Sequence, residues 1–159
     1  MTPAIQALKR RKAEFKVLEY DPAIYGDDSA ESYGEAVARA VGAEPARVFK
    51  TLIVQLEPRG LAVGVVPVTA NLDLKAIARA AGAKKAEMAA SRDAERSSGY
   101  VLGGISPLGQ KRPLPTLIDD SADGFETILV SAGKRGLQIE LAPAALASAC
   151  DGRFAPIAR

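Results

Sequence analysis

The chain contains no histidine, no tryptophan and a single cysteine, Cys150. Without histidine there can be no imidazole metal ligand, no Ser-His-Asp triad and no imidazole general base. One cysteine excludes a disulfide framework and a cysteine-cluster metal site, so no metal is expected. Long apolar runs are also lacking: none reaches the roughly 20 residues that a membrane-spanning helix needs. The opening Met1-Thr2-Pro3-Ala4-Ile5 has no apolar stretch behind it of the kind a secretory leader carries, which makes the cytoplasm the expected compartment and membrane association unexpected. An excess of one charge is missing too. Twenty-one basic residues stand against 19 acidic ones, for a net charge of +2. That balance does not suit nonspecific binding of duplex DNA, which needs a strong positive field, but it leaves room for a local basic patch against an RNA end. Neither GxxxxGK[ST] nor GxGxxG occurs, so no nucleotide cofactor is expected. Any chemistry must run on Lys, Ser, Thr, Tyr, Asp, Glu, backbone amides or the substrate itself.

The 159 residues are 48% apolar and 25% charged, which suits one globular domain spanning 1–159. Residues 3–13 read as a helix with Pro3 in its first turn, and 15–20 as a strand broken at Asp21-Pro22. After a polar loop over 21–32, a helix runs from Gly34 to Val41 and stops at Gly42. Two strands, 48–56 and 61–68, flank the turn Glu57-Pro58-Arg59-Gly60 and form a hairpin. A helix follows to Ala81, capped by Asn71 or, as second choice, Asp73. Then come a short strand over 84–88 with Met88 in the core, a short helix over 91–95 capped by Ser91, and a glycine-dense segment over 98–109. Strands over 116–119, 125–130 and 137–141 precede a last helix over 144–149 with Pro143 at its start. Interleaved helices and short, hairpin-rich strands predict a single α/β domain with a mixed or antiparallel sheet.

Three features could carry chemistry. Lys50 sits within an apolar strand, facing away from Phe49 and Thr51; it is either a solvent-facing lysine or a point charge at a pocket mouth, suited to a phosphate or ribose. Gly103-Gly104, within Gly99 to Gly109, allows backbone geometry that exposes amides as an anion nest, or makes a tight turn. Ser131-Ala132-Gly133-Lys134-Arg135-Gly136 is a phosphate contact or a solvated hairpin. Tyr20 and Tyr33 flank the polar loop, where an aromatic wall fits, and Tyr100 reads as partly core. Cys150 reads as a buried small residue, since no imidazole exists to activate it.

Taken together, Val48-Phe49-Lys50-Thr51-Leu52, Val65-Val66-Pro67-Val68, Leu72-Asp73-Leu74-Lys75, Gly82-Ala83-Lys84-Lys85, Gly99-Tyr100, the run Gly103-Gly104-Ile105-Ser106-Pro107-Leu108-Gly109-Gln110-Lys111, and Ser131 to Leu141 resemble the YbaK/EbsC family of aminoacyl-tRNA deacylases. The likeness extends over nearly the whole chain in family order. It implies a barrel-like, largely antiparallel sheet with surrounding helices, similar to the editing insertion domain of bacterial prolyl-tRNA synthetase. It implies hydrolysis of the ester joining a wrongly attached amino acid, cysteine above all, to the terminal adenosine of tRNA(Pro), with no cofactor and with prolyl-tRNA synthetase as a candidate partner.

By the same resemblance, Lys50 is the essential residue and orients the terminal adenosine. Tyr20, Tyr33 and Thr51 line the pocket, and Gly103, Gly104, Ser106 and Ser131 surround the aminoacyl end. In the cysteine branch the substrate thiol attacks its own ester, which suits a chain without histidine. Two departures stand out. Gln138 replaces an aspartate common among relatives, keeping an acceptor toward a substrate ammonium but losing its charge. The loop over 21–32 is long, which leaves Tyr25 as the alternative to Tyr33 for the pocket wall. A broader deacylase for alanine or other small amino acids, or a module that binds aminoacyl ends or a synthetase without hydrolysis, are the alternative functions.

Overall fold

A computed structural model describes residues 1–24 and 32–159. Tyr25, the alternative wall residue, lies outside the described residues.

Helix α1 (Pro3–Arg10) is capped by Thr2, whose hydroxyl accepts from the Ile5 amide at 3.3 Å, and buries Ala4, Ile5 and Leu8. Strand β1 (Lys16–Glu19) follows. Helix α2 runs Tyr33–Val41, one residue earlier than the sequence suggests. Ser32 and Glu35 form a reciprocal capping box at its start, and Gly42 closes it at φ 72°. A 3-10 turn at Pro45–Arg47 leads into β2 (Phe49–Glu57), which pairs antiparallel with β3 (Leu61–Pro67) as the expected hairpin.

Helix α3 (Leu74–Ala80) is capped by Asp73, whose carboxylate accepts from the Ala76 amide at 3.0 Å. This corrects the preference for Asn71, whose backbone instead exchanges hydrogen bonds with Arg159. Strand β4 (Lys85–Met88) is an edge strand, and Met88 there is 49% exposed rather than buried in the core. Helix α4 runs Ser91–Ser98 with Ala90 at the cap position, so Ser91 is the first helical residue and not the cap.

Strand β5 (Thr116–Asp119) is fully buried. A 3-10 turn over Asp120–Gly124 consumes the residues before Phe125, so β6 begins at Ile128 and runs to Ser131. Strand β7 (Leu137–Leu141) and helix α5 (Pro143–Cys150) lie as expected. Strand β8 (Gly152–Ala155) has no counterpart in the sequence reading: Gly-Arg-Phe-Ala lacks alternation, and its pairing to β5 is a tertiary choice.

The strands form two sheets, ordered β1-β7-β6 and β4-β2-β3-β5-β8. The first is antiparallel; the second is mixed, with β3-β5 and β5-β8 parallel. The expected barrel-like closure is not found. The isolated bridge between Val48 and Leu129 joins the two sheets, and one bridge is too short a ladder to close them. The gap beside that junction becomes the cavity described next. A main core of Ile53, Val65, Ile118, Ile128 and Ile139 lies between the sheets with α1 and α5 against it. A second core, including Val54, Leu56, Val66 and Ile77, is covered by α3, and a small third one by α2. Such burial, at about 25 cal/mol per Å² of apolar surface, is the main stabilising term.

Candidate active site

Where β2 leaves the sheet junction, the first turn of α2, the loop 102–105 and the ends of β6 and β7 enclose a cavity of about 380 Å³. That size suits a small organic group. Its floor comes from β2 and β7. Lys50, half-buried, and Thr51 pair with Val66 and Val65 of β3, both fully buried, so the strand cannot shift without breaking the core. Burial lowers the Lys50 pKa from the ordinary lysine value. Among the described lining residues Lys50 is the one cation, and there is no carboxylate.

Two floor oxygens are buried and unpartnered among the described residues: Thr51 Oγ1 and Gln138 Oε1. Gln138 is only 6% exposed, held between Leu18 of β1 and Ser131 of β6. An unpaired buried polar group costs free energy, roughly 1–3 kcal/mol, unless a ligand supplies the missing partner. Both residues line the one cavity, and either oxygen could accept from an ammonium or hydroxyl donor that reached it.

One wall is aromatic. Tyr33 begins α2; its hydroxyl lies 2.9 Å from that of Tyr20, and the Arg135 guanidinium stacks over its ring at 4.4 Å from the centroid. Burial and then the Tyr20 hydrogen bond raise the Tyr33 pKa well above the usual phenol value, so it remains neutral. Tyr20 thus stands behind the wall and not in it. Gly34 makes the close approach of α2 to Val68, just past β3, achievable: a Cβ there would lie 2.4 Å from Val68 Cγ1.

The glycine-dense loop closes the opposite side. Gly103, at φ +88°, packs against the Arg135 side chain, and a Cβ on Gly104 would come within 2.9 Å of the Lys134 Cα. Ser131 Oγ donates to the Gly104 carbonyl at 3.2 Å and accepts from the Gly133 amide at 3.1 Å, tying the loop to β6. Gly103 and Ser131 line the cavity; Gly104 stands behind them. Ser106 is the residue the fold places elsewhere. It is fully buried, its hydroxyl accepts from the Leu108 amide at 3.2 Å, and its carbonyl takes the Gln110 side-chain amide, so it braces the loop from within.

The sequence reading missed the lining by Ser32, Gly34, Leu102 and Ile105. The Ser-x-x-Glu spacing of Ser32 and Glu35 was a legible helix-start signal; the Leu102 and Ile105 contacts were not, because they depend on how the loop folds back. Cys150 sits at the end of α5, away from this cavity, and burial pushes its thiol up to about 11. No group of three or more potential metal ligands occurs among the described residues, and none of the described helices is long and apolar enough to cross a membrane.

Known proteins resemble this chain in sequence and in fold. A protein of Enterococcus faecalis, provisionally named Cys-tRNA(Pro)/Cys-tRNA(Cys) deacylase EbsC, is 41% identical over 156 residues, covering 98% of this chain and 92% of its own. A crystal structure provisionally described as a trans-editing enzyme for prolyl tRNA synthetase superposes with a TM-score of 0.84 at 23% identity, covering 100% of this chain and 99% of that one. The hypothetical protein APE2540 superposes at 0.85 with 18% identity, over 99% and 100% of the two chains. At those identities the structural matches establish the fold. Residues 28–149 match the family profile of the aminoacyl-tRNA editing domain, a span that holds every described lining residue of the cavity, and the chain belongs to that family.

Proposed function

We propose that this protein is a trans-acting deacylase that removes cysteine from mischarged tRNA(Pro), with Lys50 orienting the terminal adenosine and the substrate's own thiol as nucleophile. Aminoacyl-tRNA editing is the activity of the family; the finer reading rests on the residues. The observation that carries it is the makeup of the cavity. Lys50 stands as the one cation among the described lining residues, beside two unpartnered acceptors and with no carboxylate in that lining. A chain without histidine offers no imidazole to activate a serine or a water. A nucleophile delivered by the substrate removes that requirement.

In this scheme the cysteinyl sulfur, having lost its proton, attacks the ester carbonyl carbon. A C–S bond forms, the C–O bond to the ribose breaks, and the departing ribose oxygen takes up a proton. The resulting thiolactone hydrolyses in water to free cysteine, so the net reaction consumes one water. The protein holds the ribose-phosphate against Lys50 and the α-ammonium against Thr51 Oγ1 and Gln138 Oε1. Fixing the reacting atoms within one enclosure lowers the barrier through orientation. Prolyl-tRNA synthetase is the candidate partner that brings the correct tRNA, and the cytoplasm is the compartment this reading implies.

The test is deacylation of Cys-tRNA(Pro), Ser-tRNA(Pro) and Ala-tRNA(Pro) by the wild-type protein. Fast loss of the cysteine ester with slow loss of the others is expected, because serine and alanine lack the attacking thiol; a pocket alone, where a methylene or an isosteric hydroxyl gives only about 1–3 kcal/mol, would separate the three far less. Comparable rates on all three would discard the thiol mechanism while keeping the deacylase. Retained binding with no turnover on any would mark a non-hydrolytic module.

A further inference from the structure

The strand that carries Lys50 also shows where the rest of the nucleic acid lies. Lys50, Leu52, Val54 and Leu56 share one face of β2, and Val54, Leu56 and the Lys50 partner Val66 belong to the core under α3. The next pair along, Leu52 and Gly64, lies directly beneath the helix: a Cβ on Gly64 would meet Ile77 and Leu72. Lys50 therefore stands one pleat, roughly 7 Å, from the pair beneath α3, on the same face.

Helix α3 runs away from the cavity alongside β2. It follows Val68, whose amide donates to the Val48 carbonyl, and the chain beyond it returns to β2 where the Lys84 amide donates to the Glu57 carbonyl. Its exposed stripe carries Lys75 and Arg79, and Lys84 follows, also exposed. The helix sequence Leu-Lys-Ala-Ile-Ala-Arg-Ala contains no acid. Lys75 and Arg79 are four residues apart, a like-charge spacing that opposes helix formation, and none of the three cations forms an ion pair among the described residues. Asp73 caps the helix start and Glu57 lies beside Lys84, yet none of the three cations pairs with either, so in a chain with a net charge of only +2 they form a row of unpaired positive charge on the Lys50 face of β2.

We propose that Lys75, Arg79 and Lys84 form a track for the phosphate backbone of the tRNA acceptor arm. The track extends from Lys50 along α3 over roughly 23 Å, the length of the seven-residue step from Lys50 to Glu57. This rests on the deacylase reading above: the cavity takes the aminoacyl-adenosine, and the row holds the strand leading to it. A polyanion is the occupant that matches, because a row of cations held in no ion pair gains by displacing the counterions condensed on a phosphate chain.

The test compares wild type with Lys75→Gln, Arg79→Gln, Lys84→Gln and the triple variant on two substrates, Cys-tRNA(Pro) and cysteinyl-adenosine 5′-monophosphate, across a salt series. In the triple variant KM for the tRNA is expected to rise roughly tenfold at low salt. Its log(kcat/KM) against log[salt] should become shallower by about 0.7–0.9 for each phosphate that is no longer neutralised. The mononucleotide ester should turn over as in wild type, which also shows that the variants are folded. Unchanged KM and slope on tRNA would overturn the inference, as would an equal loss on both substrates. A defect seen only when prolyl-tRNA synthetase is added would also overturn it, by marking the row as a protein-docking surface. Should wild type hydrolyse neither substrate, the deacylase reading fails on its own. Binding of uncharged tRNA by the same variants then still decides the track: weaker binding with a shallower salt slope supports it, and unchanged binding overturns it.

Discussion

The hydroxyls of Tyr20 and Tyr33 lie 2.9 Å apart, joining the chain just beyond β1 to the first residue of α2. With Arg135 stacked on the other side of Tyr33, this contact fixes a wall of the cavity without placing Tyr20 in it. Tyr20→Phe should cost about 1 kcal/mol of stability, the usual worth of one such hydrogen bond. It should also raise KM severalfold with little change in kcat. Tyr33→Ala, which removes the wall and its cation–π interaction, should cost more in both respects. Urea unfolding and steady-state kinetics on Cys-tRNA(Pro) measure the two; equal effects of the two variants would contradict the division of roles.

Lys50→Ala should reduce turnover by roughly a hundredfold or more, the scale of losing a charged group that stabilises the reacting complex. The pH behaviour has a definite sign. Burial lowers the Lys50 pKa, so the ammonium, and activity with it, should be lost at a pH below the ordinary lysine value. Lys50→Arg, which does not titrate in this range, should keep reduced activity but lose that alkaline limb. For stability, the folded state releases this proton before the unfolded state does. The burial penalty is therefore present below the folded pKa and fades as pH rises through it toward the unfolded value. Lys50→Met should accordingly raise the unfolding midpoint at neutral pH, and a lowered midpoint would show that the ammonium is not penalised there.

Thr51→Val and Gln138→Leu each remove one of the two unpartnered buried oxygens. Stability and activity should part company in both variants. Each should be neutral or more stable by up to about 1 kcal/mol, since no internal hydrogen bond is removed. Each should raise KM for the cysteinyl ester roughly tenfold, through loss of an acceptor for the substrate ammonium. A loss of stability in either would mean that the oxygen is satisfied within the protein. Gln138→Asp should lower KM for the same ester by adding a charge opposite the ammonium.

Gly34→Ala tests the contact that lets α2 reach Val68, just past β3. The new methyl would stand 2.4 Å from Val68 Cγ1, so the helix must move. Overpacking of this kind costs about 1–3 kcal/mol. Because Ser32, Tyr33 and Gly34 line the cavity together, KM should rise as well. Thermal unfolding and kinetics on one preparation check both, and a variant as stable as wild type would show that α2 tolerates the shift.

Much of this molecule was written in local pattern. The hairpin from Phe49 to Pro67 follows from two β-branched runs around a Pro-Arg-Gly turn, and α2 ends where Gly42 can adopt a left-handed conformation. The absence of histidine and the isolated cysteine determined, before any coordinates, which chemistries the chain could not perform. Lys50 could be singled out because a lysine inside an apolar strand is an exception to burial rules.

Only the tertiary structure decided the rest. Asp73 and not Asn71 caps α3, because Asn71 is engaged by the backbone of Arg159, 88 residues away along the chain. Ser106 faces inward as a brace while Ser131, at the end of β6, meets the cavity, a distinction that two serines near glycines do not announce. The two sheets stay open at the Val48–Leu129 bridge, where pairing between distant segments sets the closure, and the cavity exists because that gap is left. Local propensity acts over a few neighbouring residues, whereas loop packing, sheet closure and the burial of Gln138 depend on which distant surfaces meet.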